Sequence, residues 1–212
     1  MAKNKLYLAC EFFLLFVLLP VSLALHYPLV LKIVFTVVGF VYVLWVLHYK
    51  EGVEYRVKSG LPWKQFWKRF LFTFVFVILS TVIYMLLVEP KNLFYVPFHH
   101  PVLFMGILFT YTLLSAWPQE ILYRTFFFKR YRSLFPNQKV SVFINAVLFC
   151  IAHLFFKKPL VLLITFIGGI IFALTYLKFR STAMVTIEHA IYGNWLYTVG
   201  LGYMLDFPGF DS

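Results

Sequence analysis

The sequence predicts an all-α fold, a polytopic transmembrane helical bundle of about seven spans with its N-terminus in the cytoplasm. Three observations carry that prediction. Of 212 residues, 62% are hydrophobic and only 13% charged, where ordinary soluble domains run at roughly a quarter charged. The mean hydropathy is +0.85, and the charges fall in short islands between apolar runs long enough to cross a bilayer. The basic residues, finally, alternate along the chain as the positive-inside rule requires.

The formal net charge of +11 belongs, in such a chain, to loops that face anionic lipid headgroups. Membrane lipids are therefore the expected partners. Nucleic acid is not, because no basic soluble segment exists to carry it. Cys10 and Cys150 both sit inside apolar runs and read as small core residues rather than as a disulfide or metal pair.

The first span runs from about Leu6 to Leu25. Lys3 and Lys5 before an apolar stretch imitate a secretory signal, but Glu11 and the bilayer-spanning length predict a retained helix. The second covers Leu29 to Leu47, with Lys32 and Trp45 placed for snorkelling and for an aromatic belt. A polar loop from Lys50 to Trp67 leads to the third span, Phe70 to Val88, which stops at Glu89-Pro90-Lys91. The adjacent pair His99-His100 would point about 100° apart on a helix, so it suits an interface better than a metal.

The fourth element, Val102 to Tyr131, is longer than a simple crossing. Pro118 interrupts it, freeing the carbonyl of Leu114 and predicting a bend that admits a polar partner. The fifth span, Val140 to Phe156, carries Asn145 and His153. The sixth, Leu160 to Tyr176, contains Gly168-Gly169, which permits close helix packing. The seventh, Ser181 to about Met204, carries Glu188, His189 and Asn194. This divides the chain into three N-terminal spans (1–100), a core (101–204) and a short acidic tail (205–212).

With the N-terminus inside, the cytoplasmic segments collect Lys3, Lys5, Lys50, Arg56, Lys58, Lys64, Lys68 and Arg69. To these are added Lys129, Arg130, Arg132, Lys139, Lys178 and Arg180, while the outer side holds only Lys91, Lys157 and Lys158. The bias selects N-in, C-out. Localisation in a bacterial cytoplasmic membrane is the matching expectation.

Within this frame the stretch Trp117-Pro118-Gln119-Glu120-Ile121-Leu122-Tyr123-Arg124 stands out as a polar knot inside an apolar run. Glu120 and Arg124, at i and i+4, share one helix face and can pair. Ionisable groups at membrane depth are costly and mark functional sites. Glu120 lies roughly 12 Å from the cytoplasmic end of its helix at 1.5 Å per residue. His189 lies at a similar depth and His153 roughly 20 Å in, so the three are expected to converge in the cytoplasmic half of the bilayer. Glu11 and Lys32 are expected to be interfacial or paired elsewhere.

This set suits hydrolysis. A carboxylate held away from water takes a proton from water more readily. Two neutral imidazoles can orient that water, or hold a divalent metal such as zinc that acidifies it. An Asn amide can stabilise the oxyanion of an attacked carbonyl. No HExxH occurs, so a metal would need ligands from separate helices.

The spacing resembles the CPBP family of intramembrane proteases, the CAAX prenyl endopeptidase and bacteriocin-processing group. That family's pattern is Glu-Glu-x-x-x-Arg, then Phe-x-x-x-His, then His-x-x-x-Asn on successive core helices. The counterparts are Gln119-Glu120-x-x-x-Arg124, Phe149-Cys150-Ile151-Ala152-His153 and His189-Ala190-Ile191-Tyr192-Gly193-Asn194. The resemblance covers about residues 101–204. It implies peptide-bond hydrolysis of a lipidated or membrane-tethered peptide, or of a bacteriocin-type precursor. Glu120 would be the general base, with Arg124 positioning it. His153 and His189 would orient water or bind metal, and Asn194 would steady the oxyanion; a metal-free glutamate mechanism is equally open.

Two departures stand beside it. Gln119 occupies the usual base position, about 100° around the helix from Glu120. Gly193 occupies the usual amide position, with Asn194 one residue later and roughly 140° from His189. The alternatives are a catalytically inactive relative acting as an immunity factor or scaffold, and a proton-coupled transporter, which would more often show paired broken helices.

Overall fold

A computed structural model describes residues 4–53 and 59–205. Lys3, the loop residues Glu54, Arg56 and Lys58, and the tail 206–212 lie outside the described residues. Among those described, every regular element is helical. Six helices are long and apolar enough to cross a membrane: α1 (Lys5–Leu23), α2 (Leu29–Tyr49), α3 (Trp63–Val88), α4 (Pro101–Arg130), α5 (Gln138–Phe156) and α6 (Pro159–Phe179). A seventh, α7 (Thr182–Val199), has the length, but Glu188, His189 and Asn194 lower its hydropathy, and it is not one of the six. The number of spans is thus close to the seven expected. The chain is an integral membrane protein, and its exposed apolar side chains, such as Leu87, Phe109 and Leu114, are those of a surface made for lipid.

Local sequence explains most helix ends. Asn4, Asn137 and Ser181 cap α1, α5 and α7, their side-chain oxygens accepting backbone amides of the first turn. Helix α3 begins at Trp63, seven residues before the apolar run at Phe70. Its first turns carry Trp63, Lys64, Trp67 and Lys68, an interfacial composition that extends the helix beyond its apolar length. Pro20 in α1 and Pro118 in α4 lie inside long helices, and each follows a π-helical segment. Leu14–Leu18 precedes Pro20, and Tyr111–Ala116 precedes Pro118. In both, the amide just before the proline reaches back five residues, Leu19 to the Leu14 carbonyl and Trp117 to that of Thr112. The wider turn accommodates the missing proline N–H.

The chain forms two compact units. The first comprises Met1–Val57 and Gln119–Leu177. Its core is aromatic: fully buried Phe16 meets the rings of Phe12, Tyr123, Phe126, Phe127 and Tyr131. Helix α6 lies close on α5, because a β-carbon on Gly169 would come within 2.8 Å of the Ala146 Cα. The glycine is what permits that approach.

The first unit also corrects the expectation for Arg130 and, as expected, pairs Glu11 away from the three motifs. Arg130, counted above among loop cations, is buried. Its Nε and Nη2 donate to the two carboxylate oxygens of Glu11, both at 2.8 Å, and its Nη1 donates to Glu51 at 2.9 Å. Tyr42 and Tyr131 also donate to Glu11. Burial and the Glu11 charge push the Tyr131 hydroxyl well above the ordinary phenol range, so it stays a donor. Glu11 therefore ties α1 to the end of α4 through a bidentate ion pair. Lys32 has a smaller role, donating to the Leu23 carbonyl at 2.6 Å.

The second unit comprises Lys58–Pro118 and Lys178–Ser212. Helix α7 is its centre. Tyr192 stacks on Phe70 and Phe74 of α3 and donates to buried Glu188 one turn earlier. Trp195 donates its indole N–H to Thr81. Gly200, at φ +109°, ends α7 in the left-handed conformation and packs against the Asn92 backbone, where a β-carbon would overlap.

Candidate functional site

The polar knot begins in the short α-helical stretch Trp117–Glu120 of α4 and continues into the π segment Ile121–Phe126, with a second π segment, Tyr111–Ala116, upstream. π segments inside α-helices are frequent at functional sites. They also bear on the Gln119 departure. A π turn holds one extra residue, and one residue is about 100° of rotation. One such turn spans the angle that separates Glu120 from residue 119. Glu120 is fully buried and Gln119 half-buried, with its Oε1 buried as well.

In the first unit, Glu120 and Arg124 are both fully buried, with the Arg124 Nε 3.3 Å from Glu120 Oε2. The same guanidinium donates from Nη1 to Asn145 Oδ1 at 2.7 Å and lies over the rings of Phe149 and Phe172, at 4.8 and 5.7 Å from their centroids. The Asn145 amide donates onward to the Tyr123 carbonyl at 2.6 Å. Arg124 is thus held by charge on one side, an amide on another and aromatic faces around it. Asn145 has no assigned part in the motif reading. An amide in an apolar span eight residues before a histidine carries no local signal of which arginine it meets.

His153 lies just beyond the α-helical part of α5, which ends at Ile151. Its ring is half-buried between Phe149 and Phe156. Its Nδ1 is 2.7 Å from the Phe149 carbonyl. A carbonyl only accepts, so Nδ1 carries a proton, and in the neutral form of the ring the lone pair is then at Nε2. That is the form a general base or a metal ligand requires.

The second unit holds His189 and Asn194 on α7. His189 is buried, and the Tyr111 ring meets its imidazole edge-on, centroids 6.0 Å apart. Asn194 donates to the Thr112 hydroxyl at 3.1 Å, and its Oδ1 is buried without a hydrogen-bond partner among the described residues. The structure thus brings Glu120 and Arg124 together with Asn145 in one unit, and His189 and Tyr111 together in the other. A catalytic zinc takes three protein ligands. Among the described residues no three His, Cys, Asp or Glu side chains gather in that way.

The class is therefore a multi-span helical membrane protein whose long, interrupted fourth helix buries a carboxylate–guanidinium pair. Residues 101–196 match the family described as type II CAAX prenyl endopeptidase Rce1-like. That segment, a little under half of the chain, contains all three motifs, and the match agrees with the CPBP resemblance. Comparison with curated proteins and with solved structures gives no match.

Proposed function

We propose that the protein hydrolyses a peptide bond in a lipidated or membrane-tethered substrate, with Glu120 as the base that activates water. Arg124, itself held by Asn145, orients the Glu120 carboxylate. His153, with its lone pair at Nε2, and His189 orient the water, and Asn194 assists at the carbonyl. The observation that carries this reading is the fully buried Glu120–Arg124 pair, which reaches from the end of a short α-helical stretch into the π segment Ile121–Phe126, inside the matched region. A buried ion pair is weak evidence for stability alone, which is why its position in the helix supports a chemical role. We also propose that the N-terminus is cytoplasmic, on the charge bias of the loops.

The test is cleavage, in detergent micelles, of an internally quenched peptide ending in a farnesylated Cys-aliphatic-aliphatic-X sequence, alongside a membrane-tethered peptide library. Wild type is expected to cleave, and Glu120→Ala, His153→Ala and His189→Ala each to lose at least about a hundredfold in kcat. Cleavage unaffected by all three would sink the assignment. Whether the histidines His153 and His189 serve as zinc ligands is addressed by chelation: retained activity in chelator favours the glutamate-only route.

A second reading has its own observation. Arg124 engages the same carboxylate that must act as base, and Gln119 stands at the usual base position. Together they favour a non-hydrolytic relative that binds partners as an immunity factor or scaffold. Under that reading wild type leaves every peptide intact and Gln119→Glu gains activity.

A further inference from the structure

Within the second unit, Gly193 and Tyr111 are fitted to each other. Gly193 lies one helical turn after His189, on the same face of α7. A β-carbon built there would overlap the Tyr111 hydroxyl and the ring carbons beside it. The phenol thus occupies the space that a side chain at position 193 would take. The same ring packs edge-on against His189 and against Tyr197, which hold it in place. Asn194, by contrast, points away from the His189 face and is bonded to Thr112. On the His189 face the polar atom that stands where an amide side chain would be is the phenol oxygen of Tyr111.

We propose that the Tyr111 hydroxyl is the hydrogen-bond donor beside His189, taking the place of the side chain that Gly193 lacks and donating to the carbonyl oxygen of the scissile peptide. This rests on the hydrolytic reading above. A phenol is well suited to that role, since it donates one O–H and stays protonated at neutral pH. It sits on a rigid ring with few rotamers, so little reorganisation is needed when charge develops on the carbonyl oxygen. The proton remains on the phenol throughout, so the step is a hydrogen bond and no transfer. Tyr111 begins the π segment Tyr111–Ala116, so the same irregularity that precedes Pro118 includes the residue that supplies this donor.

The experiment compares wild type, Tyr111→Phe, Tyr111→Ala, Gly193→Asn and the double variant Tyr111→Ala/Gly193→Asn, using the farnesylated quenched peptide. Tyr111→Phe keeps the ring and removes only the hydroxyl. Its kcat is expected to fall about a hundredfold with KM within about twofold, as for loss of one oxyanion donor. Gly193→Asn alone is expected to lose activity by collision with the phenol. The double variant is expected to recover at least about tenfold over Tyr111→Ala, because the amide then has the vacated space. Full kcat in Tyr111→Phe, or a rise in KM alone, overturns the proposal. If wild type cleaves nothing, the hydrolytic reading fails instead, and the placement is judged without turnover. In protein labelled with [15N]histidine, the His189 ring signals, assigned with His189→Ala, are expected to move in Tyr111→Phe. Unmoved signals overturn the placement of the hydroxyl beside His189.

Discussion

Arg124 illustrates how a cation is kept inside an apolar environment. A lone guanidinium at depth is prohibitive, but here it meets the Glu120 carboxylate, the Asn145 amide and two aromatic faces. Asn145 is the member that joins two stretches of chain, since its amide also satisfies the Tyr123 carbonyl within α4. Asn145→Ala would leave both a buried donor and a buried acceptor without this partner, at about 1–3 kcal/mol. A lowered melting temperature in detergent, with no change in secondary structure, is the expected result; an unchanged one would mean that Arg124 finds another acceptor. At this scale sequence reasoning reached the Glu120–Arg124 pair, because i,i+4 spacing on a helix is a local property. It did not reach the Asn145 contact or the Glu11–Arg130 pair. Residues 119 positions apart meet only after the chain has folded, and Glu11 and Arg130 each resemble an interfacial charge when read alone.

Among the elements, hydropathy made the spans legible because a bilayer requires every crossing backbone to satisfy itself in a helix. The interruptions were harder to read. Pro118 announced a break in α4, yet the π segment that absorbs it, and its counterpart before Pro20 in α1, have no sequence mark beyond the proline. The downstream segment Ile121–Phe126 has no proline at all. The pair Gly168-Gly169 was readable as a packing surface, and one of its members is. Gly169 faces the Ala146 backbone, whereas Gly168 faces Phe172 of its own helix. Gly169→Val should therefore separate α5 from α6 and destabilise by about 1–3 kcal/mol, while Gly168→Ala should be much milder. Thermal melts of the two variants side by side check the difference; equal losses would argue against the contact.

For the whole molecule, the charge pattern predicts orientation. In a variant with Cys10 and Cys150 replaced by alanine, single cysteines at Lys50 and Arg132 should resist a membrane-impermeant maleimide in intact cells. A cysteine at Lys158 should react. Labelling of the Lys50 position from outside would reverse the topology. The matched family region covers 101–196, so the first three spans contribute a part that the motifs do not describe. Glu11 shows one such part: α1 supplies two of the three carboxylate oxygens that hold Arg130, six residues beyond Arg124.

That last contact also has a history in time. Glu11 is synthesised early and enters the bilayer with α1, whereas Arg130 leaves the ribosome 119 residues later. At 5–20 residues per second that is roughly 6–24 s of waiting. Tyr42, only 31 residues behind, reaches the carboxylate first and serves as a temporary companion until the guanidinium arrives. A nascent chain that stalls before the end of α4 thus presents an acidic first span with only part of its final company.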